Sequence, residues 1–235
     1  MRYAIYFTPP EDSLLTRLAA SWLGRDPFSG ETMTPPATRS LDAAEIAFHS
    51  AAARRYGFHA TLKAPFHLAA AQSEASLVRE VSAFAADAKP FAIPRLVVGQ
   101  LDGFFALVPE APAAALNKLA DDVVRAFDDF RSPLTDSEIE RRNPDALSAE
   151  EFHNLHRWGY PYVFDAFRFH MTLTGRVAGE EASRVKAALD EVFGDVLAQP
   201  VPVEGIALFV EPEARAPFTV HSYAEFAPAR ERKSA

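Results

Sequence analysis

Two short stretches carry the residue types that move protons and hold anions. They are His59-Ala60-Thr61, within Tyr56-Gly57-Phe58-His59-Ala60-Thr61-Leu62-Lys63, and His170-Met171-Thr172, within Phe167-Arg168-Phe169-His170-Met171-Thr172-Leu173-Thr174. Both read as β-strands, whose successive side chains point to opposite faces. Phe58, Ala60 and Leu62 then share one face, as do Phe169, Met171 and Leu173, and these are expected core faces. The other faces carry His59, Thr61 and Lys63 in the first strand, and Arg168, His170, Thr172 and Thr174 in the second. A buried hydroxyl or imidazole without a partner costs about 1–3 kcal/mol, so a polar ligand is expected to meet that face. Two imidazoles with ordinary pKa values near ~6.5 can serve as base and acid in one neutral-pH site, and threonine hydroxyls beside them can donate to anionic oxygens. That set suits phosphate ester chemistry without a metal.

A single His-x-Thr on a strand is most simply a structural histidine. The repetition in matching apolar contexts is what points to a shared site. By strand parity Lys63 and Arg168 are candidates to bind phosphate, with a solvated cation at a strand end as the competing reading. Tyr6, Tyr56, Tyr160 and Tyr162 are candidates to stack on a base or sugar, with packing as the alternative. His153 and His156 stand at helical i, i+3 spacing but lack an evident third ligand, so no metal site and no cofactor is expected. Glycine-rich phosphate loops, Gly-x-Ser-x-Gly elbows and His-Glu-x-x-His helices are absent from the sequence.

The duplicated His-x-Thr motif resembles the two-histidine phosphoesterase superfamily, which includes cyclic phosphodiesterases and 2'-5' RNA ligases. The contexts Arg55 to Lys63, Trp158-Gly159-Tyr160-Pro161-Tyr162 and Phe169 to Gly175 are similar to a bacterial family encoded beside phosphonate-degradation genes, and the likeness extends over nearly the whole chain. The resemblance implies His59 and His170 as catalytic residues that meet near a pseudo-twofold axis, and Thr61 and Thr172 as ligands of the phosphate. It implies a metal-independent hydrolase of a small cyclic phosphate or nucleotide-derived ester, with a ribose cyclic phosphate as one candidate. RNA end processing or 2'-5' ligation is a second reading, and a non-enzymatic phosphate-ligand sensor a third.

The elements that must position these residues follow the same duplication. The first motif is followed by a helix from Ser73 and strands over 91–98 and 104–108 that turn at Asp102-Gly103. The second is followed by a helix from Glu180 to Phe193 stopped at Gly194, then strands over 201–210 and 218–226. We expect an α+β fold: one bilobal domain of two antiparallel sheets facing across a groove, with helices on the outer faces. The first lobe is assigned to about 54–110, a helical insert to 111–160, the second lobe to 161–227, and 228–235 to a disordered tail. Upstream, 2–7 reads as a strand and 14–23 as a helix capped by Asp12 or Ser13 and closed by Gly24. Residues 25–40, rich in proline, read as a loop with the length of a lid, with an ordered surface connection as the competing reading. In the insert, Pro112 to Phe130 reads as one helix, and Thr135/Glu138 and Ser148/Glu151 fit capping boxes.

The chain is long enough for a sizeable core, and 49% of its 235 residues are hydrophobic. It contains no cysteine, which excludes disulfides and thiolate catalysis. No long apolar run or export signal is evident, so a cytoplasmic protein that makes no membrane contact is expected. A net charge of −8 argues against long nucleic acid as a partner and favours a small phosphorylated substrate. A monomer is the default.

Overall fold

The computed structural model describes residues 1–227, so the tail assignment at 228–235 lies outside the described residues. The chain begins with β1 (Arg2–Phe7), α1 (Leu14–Leu23) and α2 (Ala43–Arg54). The first motif unit follows as β2 (Ala60–Phe66), α3 (Glu74–Asp87), β3 (Phe91–Ile93), β4 (Leu96–Leu101) and β5 (Phe104–Pro109). The insert holds α4 (Ala114–Ala126), α5 (Asp136–Glu140) and α6 (Ala149–Trp158). The second unit repeats the order as β6 (Met171–Arg176), α7 (Glu180–Leu197), β7 (Val201–Val203), β8 (Gly205–Glu211) and β9 (Thr219–Glu225).

The fold is α+β, and its strands join in one antiparallel sheet ordered β4-β5-β6-β2-β1-β8-β9, with β3 and β7 paired separately. This differs from lobes that follow the sequence, because the β4–β5 hairpin of the first unit pairs with the motif strand of the second. The β8–β9 hairpin of the second unit pairs with β1, which pairs with the first motif strand. Each motif strand therefore lies in the half of the sheet that holds the other unit's hairpin. The two halves meet only where Ala60 pairs with Met171, and beyond that pair the strands diverge.

One face of the sheet carries the main core: Phe58, Leu62, Met171, Leu173, Ile5 and Phe7 belong to a large buried cluster with the helices. The opposite face carries a smaller cluster, Ala4, Tyr6, Ala207, Phe209 and Phe218, packed by Tyr56 and Tyr223. Helices fill the wedges where the motif strands splay. The Trp22 indole Nε1 of α1 donates to the carbonyl of Leu173 at 2.9 Å, satisfying a β6 group that β2 does not reach.

Several expected boundaries shift for identifiable reasons. The 91–98 run divides at Pro94 into β3 and β4, because proline has no N–H for the ladder. The 201–210 run divides likewise at Glu204, whose carbonyl accepts from Phe226 N. The helix expected to stop at Gly194 continues to Leu197, and that extra turn places Leu197 in the core. The expected helix 112–130 ends at Ala126 and tightens into a 3₁₀ turn at Asp128–Phe130. Residues 25–40 are fastened by backbone pairing of Arg25 with Thr32, by the Ser21 hydroxyl donating to Thr34 O, and by Arg184 donating to Ser40 O. These contacts tie the segment to α1 and α7. Among the described residues, no helix is long and apolar enough to cross a membrane.

Candidate active site

The Ala60–Met171 pair occupies equivalent places in the two motifs, one residue after each histidine. Both side chains enter the core, at 1% and 0% exposure, so their neighbours on either side face the opposite surface. Extending the antiparallel register by one residue sets Thr61 across from His170 and His59 across from Thr172. The two imidazoles and two hydroxyls thus flank that one pair on the same surface of the sheet, all four half-buried, and His170 is near enough to bear on the ionisation of His59.

Each imidazole is aimed by the same device. Nδ1 of His59 lies 3.0 Å from the carbonyl of Gly57, and Nδ1 of His170 lies 2.7 Å from the carbonyl of Arg168. A carbonyl only accepts, so both Nδ1 atoms carry the proton and both Nε2 atoms are left for the site. Thr61 Oγ1 sits 3.3 Å from His59 Nε2. Gly57 reaches this geometry with φ of +74°, and a Cβ there would lie 2.6 Å from the Cβ of Pro27. The approach is further braced by Arg25, which donates to the carbonyls of Arg54, Arg55 and Phe218 at 3.1, 3.2 and 2.7 Å.

His59 is stacked on Tyr6, with ring centroids 3.9 Å apart and planes at 24°. Burial pushes its pKa down to about 4; the Gly57 hydrogen bond opposes this, and the charge of His170 lowers it further. His59 is therefore neutral at pH 7, with an unprotonated Nε2. Tyr6 is pushed well above its usual value by burial, and Tyr56 and Tyr160 add to the effect.

Of the other residues singled out from sequence, Tyr56 reaches the site wall: its ring is 6.2 Å from His59 and stacks on Phe218 at 5.4 Å. Lys63 does not share the site face. The register runs Tyr6↔Thr61 and then Ile5↔Lys63, a β-bulge that puts one extra residue into β2 and reverses parity beyond it. Lys63 is turned to the core side, where Nζ donates to Val124 O at 3.3 Å and pairs with Asp128 at 3.2 Å. Burial lowers its pKa to about 8 against the attraction of Asp128. Arg168 holds His170 with its carbonyl, while its exposed side chain lines a cleft with Pro109, Asn117 and Phe167 that contains neither histidine. Thr174 is buried at 1%, accepting from Phe105 N at 2.9 Å and donating to Gly175 O.

Arg54 is spent on main-chain carbonyls of Leu23 and Ala47, and Arg55 pairs with Glu211 beneath Tyr56. His156 packs on Phe152, and among the described residues no three His, Asp or Glu side chains converge as a metal-binding group. Sequence reading missed Gly57, Arg25 and Trp22 as positioning residues. The Gly directly before Phe58-His59 was the available signal for the first; the other two act across the fold and left none.

Residues 61–219 match the family described as "Protein of unknown function (DUF1045)". Among curated proteins, the chain is 37% identical over 237 residues to a protein named ribose 1,5-bisphosphate phosphokinase PhnN from Janthinobacterium sp. (strain Marseille), covering 99% of this chain and 52% of that one. It is 38% identical over 218 residues to a protein of the same name from Laribacter hongkongensis (strain HLHK9), covering 93% and 50%. The chain thus spans about half the length of the curated relatives it matches. Among solved structures, TT0787 of Thermus thermophilus aligns with TM-score 0.46 and 18% identity, over 97% of this chain and 100% of that one. Escherichia coli LigT complexed with phosphate aligns with TM-score 0.43 and 14% identity, over 96% and 97%. From the match over most of its length, the chain belongs to the DUF1045 family.

Proposed function

We propose that this protein is a phosphoesterase that hydrolyses a small cyclic phosphodiester by two-histidine acid–base catalysis. The observation that carries the reading is the pairing of the two motifs at Ala60–Met171, which puts His59, Thr61, His170 and Thr172 on one surface, with both Nδ1 atoms anchored to carbonyls two residues back and both Nε2 atoms left free of protein carbonyls. The depressed pKa of His59 favours it as the base. Its Nε2 takes a proton from water as the water oxygen attacks phosphorus. His170 gives its Nε2 proton to the sugar oxygen as the P–O bond breaks, so a cyclic diester becomes a monoester with one free hydroxyl. The Thr61 and Thr172 hydroxyls rotate to donate to the non-bridging oxygens, where negative charge accumulates.

A ribose cyclic phosphate is the substrate we favour. The curated relatives are named for a kinase of ribose 1,5-bisphosphate, and opening a cyclic phosphate on a phosphorylated ribose yields a compound of that class. This chain has no Gly-x-x-x-x-Gly-Lys-Ser/Thr loop, so we assign the kinase activity to the part of those relatives beyond the match. The −8 net charge supports a small substrate over a long RNA. Turnover of a cyclic phosphate panel, read by phosphorus NMR, tests the reading: a new monoester resonance supports it, and binding without product leaves a sensor in its place.

A further inference from the structure

Beside His170 the molecule opens into a cleft of about 310 Å³, walled by Val108 and Pro109 at the end of β5, by Asn117 of α4, and by Phe167 and Arg168 on the approach to β6. The cleft is joined to the site by strand register. β5 pairs Ala106 with Thr172 and Leu107 with Met171, and both Leu107 and Met171 are fully buried in the main core. One further step sets Val108 across from His170, on the surface that carries the imidazole. Arg168 is joined to the site more directly, through its carbonyl 2.7 Å from His170 Nδ1. Its exposed guanidinium makes no hydrogen bond or ion pair among the described residues. Glu110, a carboxylate lining the same cleft, lies 3.6 Å from Arg95 instead. Arg25, Arg54 and Arg55, on the approach to His59, are spent on carbonyls or on Glu211.

We infer that this cleft is a specificity subsite for a phosphate monoester carried on the sugar of the substrate, apart from the scissile phosphate, with Arg168 as its counter-charge. The inference rests on the phosphoesterase reading, with His59 as the base, and goes beyond it by saying where the rest of the substrate lies. In phosphoryl transfer the attacking and leaving oxygens stand roughly in line on opposite sides of phosphorus. Water activated at His59 therefore puts the leaving oxygen, and the sugar that carries it, on the His170 side. The strand order β5-β6-β2 sets the cleft beyond His170 as seen from His59, so the sugar is directed toward it. Its volume, at the low end of the about 300–1,000 Å³ usual for small-molecule sites, suits a substituent of a small sugar. A guanidinium without a carboxylate can hold a phosphate by two parallel hydrogen bonds, whereas a neutral hydroxymethyl group would leave its charge unmatched.

The test has a kinetic arm and a binding arm. In the first, Arg168→Gln and Asn117→Asp are compared with the unaltered protein on a ribose cyclic phosphate with and without a 5-phosphate. The preference for the phosphorylated substrate, as a ratio of kcat/KM, should fall about three- to thirtyfold in each variant, mostly through KM; solvent exposure of the guanidinium keeps this below the effect of a buried pair. Added salt should erode the same preference in the unaltered protein. Asn117→Asp lies on another element and leaves the carbonyl that holds His170 untouched, so its effect reads the cleft itself. An equal loss on both substrates, or none, overturns the inference. In the second arm, ribose 1,5-bisphosphate and ribose 1-phosphate are titrated by calorimetry, which needs no turnover. Arg168→Gln should weaken binding of the bisphosphate selectively. Equal weakening of both, no weakening, or no preference for the bisphosphate in the unaltered protein overturns the inference. Should the unaltered protein hydrolyse neither cyclic phosphate, the proposed reaction fails, and the binding arm still decides the subsite.

Discussion

His59 and His170 are tied to one another through the backbone: each stands one residue before a member of the Ala60–Met171 pair, the single pair by which the two motif strands touch. Neither strand's own hairpin lies beside it, because the two units exchange hairpins. Removing either imidazole should therefore remove half of one proton-transfer apparatus. His59→Ala and His170→Ala are each expected to cost about 10²- to 10⁴-fold in kcat. The double variant should lose much less than the product, because the groups act in one step. Steady-state rates on the responsive cyclic phosphate check this, and dialysis against EDTA should leave them unchanged.

The pH dependence follows from the stacking of His59 on Tyr6. Two imidazoles of ordinary pKa would give a profile peaking close to neutrality, but burial lowers His59 to about 4. Activity that needs neutral His59 should persist well below pH 6 in the free enzyme, with the acid limb of kcat/KM displaced downward. The sign for stability agrees. In the unfolded chain His59 returns to about 6.5, so between that value and about 4 the unfolded state binds more protons. Stability is then full above about 6.5 and is lost as pH falls through about 4. Urea titrations across this range should show that slope, and His59→Gln should flatten it.

Gly57 offers a separation of backbone strain from contact. Gly57→Ala meets both a φ of +74° and a Cβ 2.6 Å from Pro27, whereas Gly30→Ala meets a φ of +77° with nothing within 4 Å. Gly30→Ala should cost about 1 kcal/mol, the left-handed penalty alone. Gly57→Ala should cost more, about 2–3 kcal/mol, and should lower kcat as well, since the shifted Gly57 carbonyl no longer aims His59. Equal effects of the two substitutions on kcat would show that the Gly57–His59 contact has no part in catalysis.

The strands, both histidines and both threonines were legible because period-two alternation is local and was repeated. Ser13, Gly24, Thr135 and Ser148 cap helices as their sequence contexts indicate, and Asp102-Gly103 makes a two-residue turn with positive φ at both positions. Helix α2 escaped notice despite its Asp42/Glu45 capping box, since its alanine-rich sequence has a weak apolar stripe. It is nonetheless held between α1 and β6. The exchange of hairpins was not legible, because both units present the same strand pattern and nothing local says which motif strand a hairpin joins. Lys63 was misplaced for a related reason. A bulge is a relation between two strands, and parity counted along one strand cannot detect it.

Lys63 supplies the last prediction. Its ammonium lies in a node where Asp128 also receives Arg131 at 3.2 Å and Arg157 at 2.8 Å. Lys63→Met keeps the stem's apolar packing and removes one cation of three, so Asp128 is not left unpaired. The loss should fall well short of the ~3–5 kcal/mol that follows when a buried charge is orphaned, at about 1–2 kcal/mol. KM for the cyclic phosphate should stay unchanged, because the bulge between Tyr6↔Thr61 and Ile5↔Lys63 points this side chain away from the histidines. Thr61→Val, two residues earlier and on the other face, should show the reverse: near-native Tm and a transition-state loss of about 1.5–3 kcal/mol if the acceptor is anionic. Measuring Tm and kcat/KM for both variants distinguishes the faces. A Lys63→Met variant with native Tm and raised KM would place the ammonium on the substrate and overturn the parity reversal.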